Sequence, residues 1–134
     1  MKKYSFSLVL SIMLFLTNSS FCQDENTWTL VAENDNYKVY LNKDSVKFIG
    51  ESKTDYDVWL KWECKTECND GYKSIEYSIQ NWNLFCEKKE FNVPKTIDHY
   101  KDGEENVYTS TTVSPVMENS PGEKVLNYFC EKKE

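Results

Sequence analysis

The chain has 134 residues, a net charge of −6 at neutral pH, and only lysine as its strongly basic residue. Without a guanidinium group it cannot make bidentate contacts to phosphate or guanine, and its acidic balance repels polyanions, which excludes nucleic acid and disfavours anionic membrane surfaces. A single histidine, His99, leaves little material for acid-base chemistry.

Lys2 and Lys3 precede an apolar run, Ser5 to Thr17, of about 13 residues, and Asn18-Ser19-Ser20 follows. This is the layout of a secretory signal peptide, and the run is too short to span a bilayer. Cleavage after Cys22 satisfies the small-x-small rule with Ser20 and Cys22. Residues 1–22 are therefore assigned to a removed segment and 23–134 to a single domain. The competing assignment makes Cys22 a lipid anchor followed by an acidic tag, Gln23-Asp24-Glu25-Asn26, although Phe21 stands where a lipobox wants a small residue. Both routes export the chain to the periplasm, the outer surface or the extracellular space.

Export lets disulfides persist. Cys64, Cys68, Cys86 and Cys130 allow three connectivities. Local context favours Cys64 with Cys68 across a turn and Cys86 with Cys130 over the long loop. A structural zinc site wants two close-spaced hooks, and Cys64-x-x-x-Cys68 is one hook alone, so neither metal nor cofactor is assigned.

In chain order, Trp28 to Ala32 and Tyr37 to Leu41 read as a first hairpin around Glu33-Asn34-Asp35-Asn36. Tyr56 to Cys64 alternates, with Val58, Leu60, Trp62 and Cys64 on one face and Asp57, Lys61 and Glu63 on the other. Trp59 is the one large apolar residue on the polar side. Asn69-Asp70-Gly71 supplies turn chemistry, and Tyr72 to Phe91 reads as one or two strands with a break near Gln80-Asn81. Asp102-Gly103 closes a hairpin between Thr96 to Lys101 and Val107 to Val113.

The period then changes. Ser120, Pro121 and Glu123 form a helix start, and Val125, Leu126, Phe129 and Cys130 fall on one face of a helix of about 13 residues. Such a helix is marginal alone and must dock on the sheet. The chain also echoes itself, with Asn83 to Glu90 repeated with one change as Asn127 to Glu134. One copy lies in strand context and the other in helix context, so they are not equivalent units; a Cys86 to Cys130 bond would pin the helix to the sheet.

Trp28, Val39-Tyr40-Leu41-Asn42-Lys43-Asp44-Ser45-Val46, Val58-Trp59, Lys73-Ser74, Cys86, Asp102-Gly103 and Pro121-Gly122 to Cys130 occur in an order that resembles the surface-adhesin protein E family over nearly the whole mature chain. The resemblance implies an α+β, mainly β fold: an antiparallel sheet of about six strands with a C-terminal helix tethered to its concave face by a disulfide. It also implies a non-enzymatic binding role, since the family's namesake binds host matrix proteins. Asn42 stands where the family tends to have Asp, the Cys64 and Cys68 pair is extra, and arginine is absent.

His99 between Asp98 and Tyr100 has no neighbouring nucleophile motif, and Glu104 and Glu105 beside Asp102 fit no calcium loop. Trp59 is the candidate partner contact, because exposed aromatics anchor interfaces. The leading expectation is an exported module that presents a sheet surface to an unknown protein partner, with a homodimer as one form of that contact. The alternative is an inhibitor or accessory subunit of a secreted hydrolase, reaching with residues 64–71 or 114–119.

Overall fold

The computed structural model describes residues 27–51 and 53–131. The signal segment 1–22, the Cys22 anchor and residues 132–134 of the second echo lie outside the described residues. Eight strands make one antiparallel sheet: β1 (Trp28–Glu33), β2 (Tyr37–Asn42), β3 (Lys47–Phe48), β4 (Asp55–Asn69), β5 (Ser74–Phe85), β6 (Glu90–Tyr100), β7 (Glu105–Thr109) and β8 (Val113–Pro115). One helix follows, α1 (Pro121–Cys130). The main path runs β1-β2-β4-β5-β6-β7, with β3 beside β4 and β8 beside β6, so the expected sheet of about six strands with a terminal helix is the fold observed.

Short polar side chains set the turns. Asn34 Oδ1 accepts the Asn36 and Tyr37 N–H groups at 2.9 and 2.8 Å, closing the first hairpin. Asp70 Oδ1 accepts the Tyr72 and Lys73 N–H groups, each at 2.9 Å, between β4 and β5. Gly71 and Gly103 take φ of 96° and 87° in their hairpins, a region open to glycine at little cost.

Alternation then sorts the strands into two faces. Val39, Leu41, Val58, Leu60 and Leu84 point toward α1 and are at most 2 % exposed. Val125, Leu126 and Phe129 close the core from the helix side. Ser120 Oγ accepts the Glu123 N–H at 3.1 Å, and Glu123 Oε2 accepts the Asn119 N–H at 2.7 Å, a capping arrangement shifted by one residue. Gly122 lets the first turn of α1 sit against Trp82, since a Cβ there would lie 3.5 Å from the indole. Trp82 is itself stacked between Trp62 and Phe91, with ring centroids 5.5 and 4.4 Å away.

The sequence places a break near Gln80-Asn81, but β5 runs straight through. Gln80 Oε1 accepts the Trp82 indole N–H at 2.8 Å, and Asn81 Nδ2 donates to Asp57 and, at 3.2 Å, to the Val58 carbonyl. Both amides are satisfied inside the sheet, so they do not turn the chain. What remains of the break is a register shift against β6 between Asn81 and Asn83. The turn falls instead after Phe85, inside the first echo, and α1 spans 10 residues, somewhat shorter than its pattern suggests.

Cys86, at the end of β5, is bonded to Cys130, the last residue of α1, with Cα atoms 5.5 Å apart. Cys64 and Cys68 are also joined, across a point where the β4–β5 ladder skips from Glu63 to Cys68. Residues 64–69 are thus a stapled bulge within β4 and not a free loop.

Candidate functional site

The residues that alternate with the core positions face away from α1. Cross-strand register aligns Leu30, Tyr40, Lys61, Ile79, Ile97 and Val107 in one row, one residue from each strand of the main path. Leu30 and Val107, at the two ends, are 46 % and 53 % exposed, and the four between them are half-buried. The row is apolar except at Lys61. Its ammonium lies 4.8 Å from the Tyr77 ring centroid, 5.9 Å from that of Tyr40 and 2.6 Å from Glu63 Oε1. The cation is held over two rings and its aliphatic stem continues the apolar surface.

A second row beside the first is polar. Lys38, Glu63, Tyr77, His99 and Glu105 are consecutive partners across β2, β4, β5, β6 and β7. His99 stacks on Tyr77 with centroids 4.3 Å apart, and its Nδ1 lies 2.9 Å from Glu105 Oε1. Burial, reinforced by Glu63, pushes the Tyr40 hydroxyl above its ordinary pKa, so it stays a neutral donor. On the other side of the apolar row Trp59 pairs with Asn81, half-buried, and its backbone N–H donates to Ser45 Oγ at 2.9 Å. Trp59 therefore belongs to a continuous face and is not an isolated protrusion.

The helix side is only partly covered by α1. Beyond the start of the helix lies an open groove of about 440 Å³, lined by Tyr37, Trp62, Ile75, Gln80 and Trp82 and bordered by Cys64 and Cys68. Ser78 Oγ donates to Asp98 in a buried contact on this side. Since Asp98 and His99 are neighbours on one strand, they point to opposite faces, and the serine and the histidine are separated by the sheet. The acidic turn is likewise occupied by protein: Lys73 Nζ lies 2.9 Å from Asp102 Oδ2 and also pairs with Glu104. Those two carboxylates hold Lys73 above its usual range, and Lys73 holds Asp102 below its own. Among the described residues no group of three or more His, Cys, Asp or Glu side chains is placed to hold a metal ion. No helix among them is long and apolar enough to cross a membrane.

Near the turns that join β4 to β5 and β6 to β7, Tyr100 donates to Asp70 Oδ2 at 2.7 Å and lies 3.4 Å from the Tyr108 hydroxyl, which accepts from Asn106 at 2.8 Å. The Lys73 and Tyr72 amides and the Tyr100 hydroxyl hold the Asp70 carboxyl down at about 2. The Tyr100 hydroxyl is pushed upward in return, mainly by Tyr108 and then by Asp70.

Sequence alternation could find Trp59 on the polar face but not its neighbours. Ile79 and Ile97 carry the same phase within their strands, yet only the register of β4, β5 and β6 shows that they stand in line.

These features define a class: a disulfide-braced scaffold of one sheet, with a helix packed on one face and the row from Leu30 to Val107 on the other. The surface-adhesin protein E family model matches residues 28–131, and the chain belongs to that family. No curated protein matches it at a significant level. Membership implies an exported or surface location, with which the two disulfides are consistent.

Proposed function

We propose that this protein is a non-enzymatic, adhesin-like binding module that presents the sheet face opposite α1 to a protein partner. The observation that carries the reading is the apolar row from Leu30 to Val107, which follows the main path of the sheet on the face opposite α1 and ends in two exposed residues. Apolar and aromatic groups flanked by a polar rim are the anatomy of a protein-binding surface. Trp59, Tyr40 and Tyr77 are its aromatic anchors, and Lys38, Lys61, Glu63 and Glu105 supply charges of both signs around them. Residues 1–22 act as the export signal of this module and 23–134 as its folded domain, with Cys22 as the alternative lipid anchor.

The test is binding to immobilised extracellular-matrix proteins by the wild-type chain and by Ile79→Lys, a change confined to the open face. Saturable binding that Ile79→Lys abolishes while the melting temperature is kept supports the proposal. Absence of binding, or binding that Ile79→Lys leaves intact, overturns it. Capture of one dominant secreted hydrolase from envelope extract in place of matrix proteins would instead favour an inhibitor.

A further inference from the structure

The groove beyond the start of α1 is walled by rings that other rings hold in place. Trp82, from β5, is stacked on Trp62 and Phe91, and Trp62 meets Tyr37, from β2, at a steep angle with centroids 5.9 Å apart. Pro121, the first residue of α1, and the Cys64–Cys68 disulfide in the bulge of β4 line the same groove. At about 440 Å³ it has the size of a small-molecule site. Walls fixed before a ligand arrives reduce the ordering cost of binding.

Ser78 is the polar residue of the lining that carries the chemistry. Its Oγ donates to Asp98 Oδ1, on its cross-strand partner in β6, and the two residues are only 9 % and 8 % exposed. A carboxylate buried to that degree ordinarily has a cation or several donors around it. Here Ser78 is the one side-chain or backbone donor to it among the described residues, and none of their ion pairs includes Asp98. A serine hydroxyl has a single proton, and this one is given to Asp98, so Ser78 offers the groove an acceptor. The side-chain oxygens of Asn69 and Gln80, which also line it, already accept the Gly71 amide and the Trp82 indole N–H.

We infer that this groove binds a small molecule bearing a primary ammonium on a short aliphatic stem, with the stem against Tyr37, Trp62 and Trp82 and the ammonium on Ser78. The ammonium brings three N–H donors and the positive charge that the Ser78–Asp98 pair lacks. A carboxylate ligand is repelled by Asp98, and a neutral alcohol leaves its charge uncompensated. The chain's net charge of −6 also favours the approach of cations. The site lies on the helix side of the sheet, separate from the face proposed for a protein partner, and stands or falls independently of it.

Titration of the chain with pentylamine, 1-pentanol and pentanoate, followed by the indole N–H signals of Trp62 and Trp82, is the test. Saturable shifts with pentylamine at a Kd of about 0.1–1 mM are expected, with pentanol and pentanoate weaker by about tenfold or more. Asp98→Asn keeps an acceptor for Ser78 and removes the charge, and should weaken pentylamine by about tenfold or more at an unchanged melting temperature. 1,5-Diaminopentane and free lysine then separate two sources of the same chemistry, a diamine and an amino acid, and the tighter of them identifies the natural ligand class. Pentylamine that fails to saturate, pentanol that binds as tightly as pentylamine, or undiminished binding to a folded Asp98→Asn would overturn the inference. If Asp98→Asn does not fold, the order of the three probes on the wild-type chain decides the matter.

Discussion

Cys86 and Cys130 place the end of β5 and the last residue of α1 within 5.5 Å, Cα to Cα, and so join the two copies of the sequence echo through their cysteines. The first copy ends one strand, turns and begins the next, whereas the second closes a helix. The echo thus acts as a clasp between unlike elements. It holds Val125, Leu126 and Phe129 over the face built by Val39, Leu41, Val58 and Leu60.

That clasp closes a loop with a sequence separation of 44, against 4 for Cys64 and Cys68. Loop entropy then assigns about 4 kcal/mol to the long link and about 2 kcal/mol to the short one. Urea unfolding of Cys86→Ser/Cys130→Ser should accordingly lose about twice the stability lost by Cys64→Ser/Cys68→Ser. Equal losses would mean that α1 holds its place without the bond.

Gly122 is the close approach between helix and sheet. Alanine there meets the Trp82 ring at 3.5 Å and Ser120 Oγ at 3.4 Å, contacts that small shifts accommodate. Leucine must displace an indole already stacked on both sides by Trp62 and Phe91. Thermal unfolding should show Gly122→Ala near wild type and Gly122→Leu destabilised by about 1–3 kcal/mol.

The lowered Asp70 carboxyl makes stability depend on acid. Its folded value of about 2 lies below the unfolded one near 4, so the folded state favours the ionised form. The stabilisation is complete above pH ~4 and is lost as pH falls through ~2. Asp70→Asn keeps an acceptor for the turn amides and removes the titration. Its melting temperature should therefore fall less than that of wild type between pH 7 and pH 2.5; parallel falls would contradict this role.

Much of the fold was legible in the sequence because alternation in β4 and the cap at Ser120 are local signals. The face of Val58, Leu60, Trp62 and Cys64 is evident from spacing alone, and so is the helical stripe of Val125, Leu126 and Phe129. The apparent break at Gln80-Asn81 misled because amide side chains suit a turn and a bonded sheet interior equally, and Trp82, Asp57 and Val58 decide between them. The open face was legible only at Trp59. Its row depends on the registers of five strand pairs, which no single strand encodes.

In the proposed function one face of the sheet is used for folding and the other meets a partner. This division is tested most directly by methyl and indole NMR of the chain titrated with a matrix protein that binds it. The Ile79 and Ile97 methyls and the Trp59 indole N–H are expected to shift while Val125 and Leu126 stay in place. Shifts confined to α1 or to the groove beside Trp62 and Trp82, with Ile79, Ile97 and Trp59 unmoved, would contradict it.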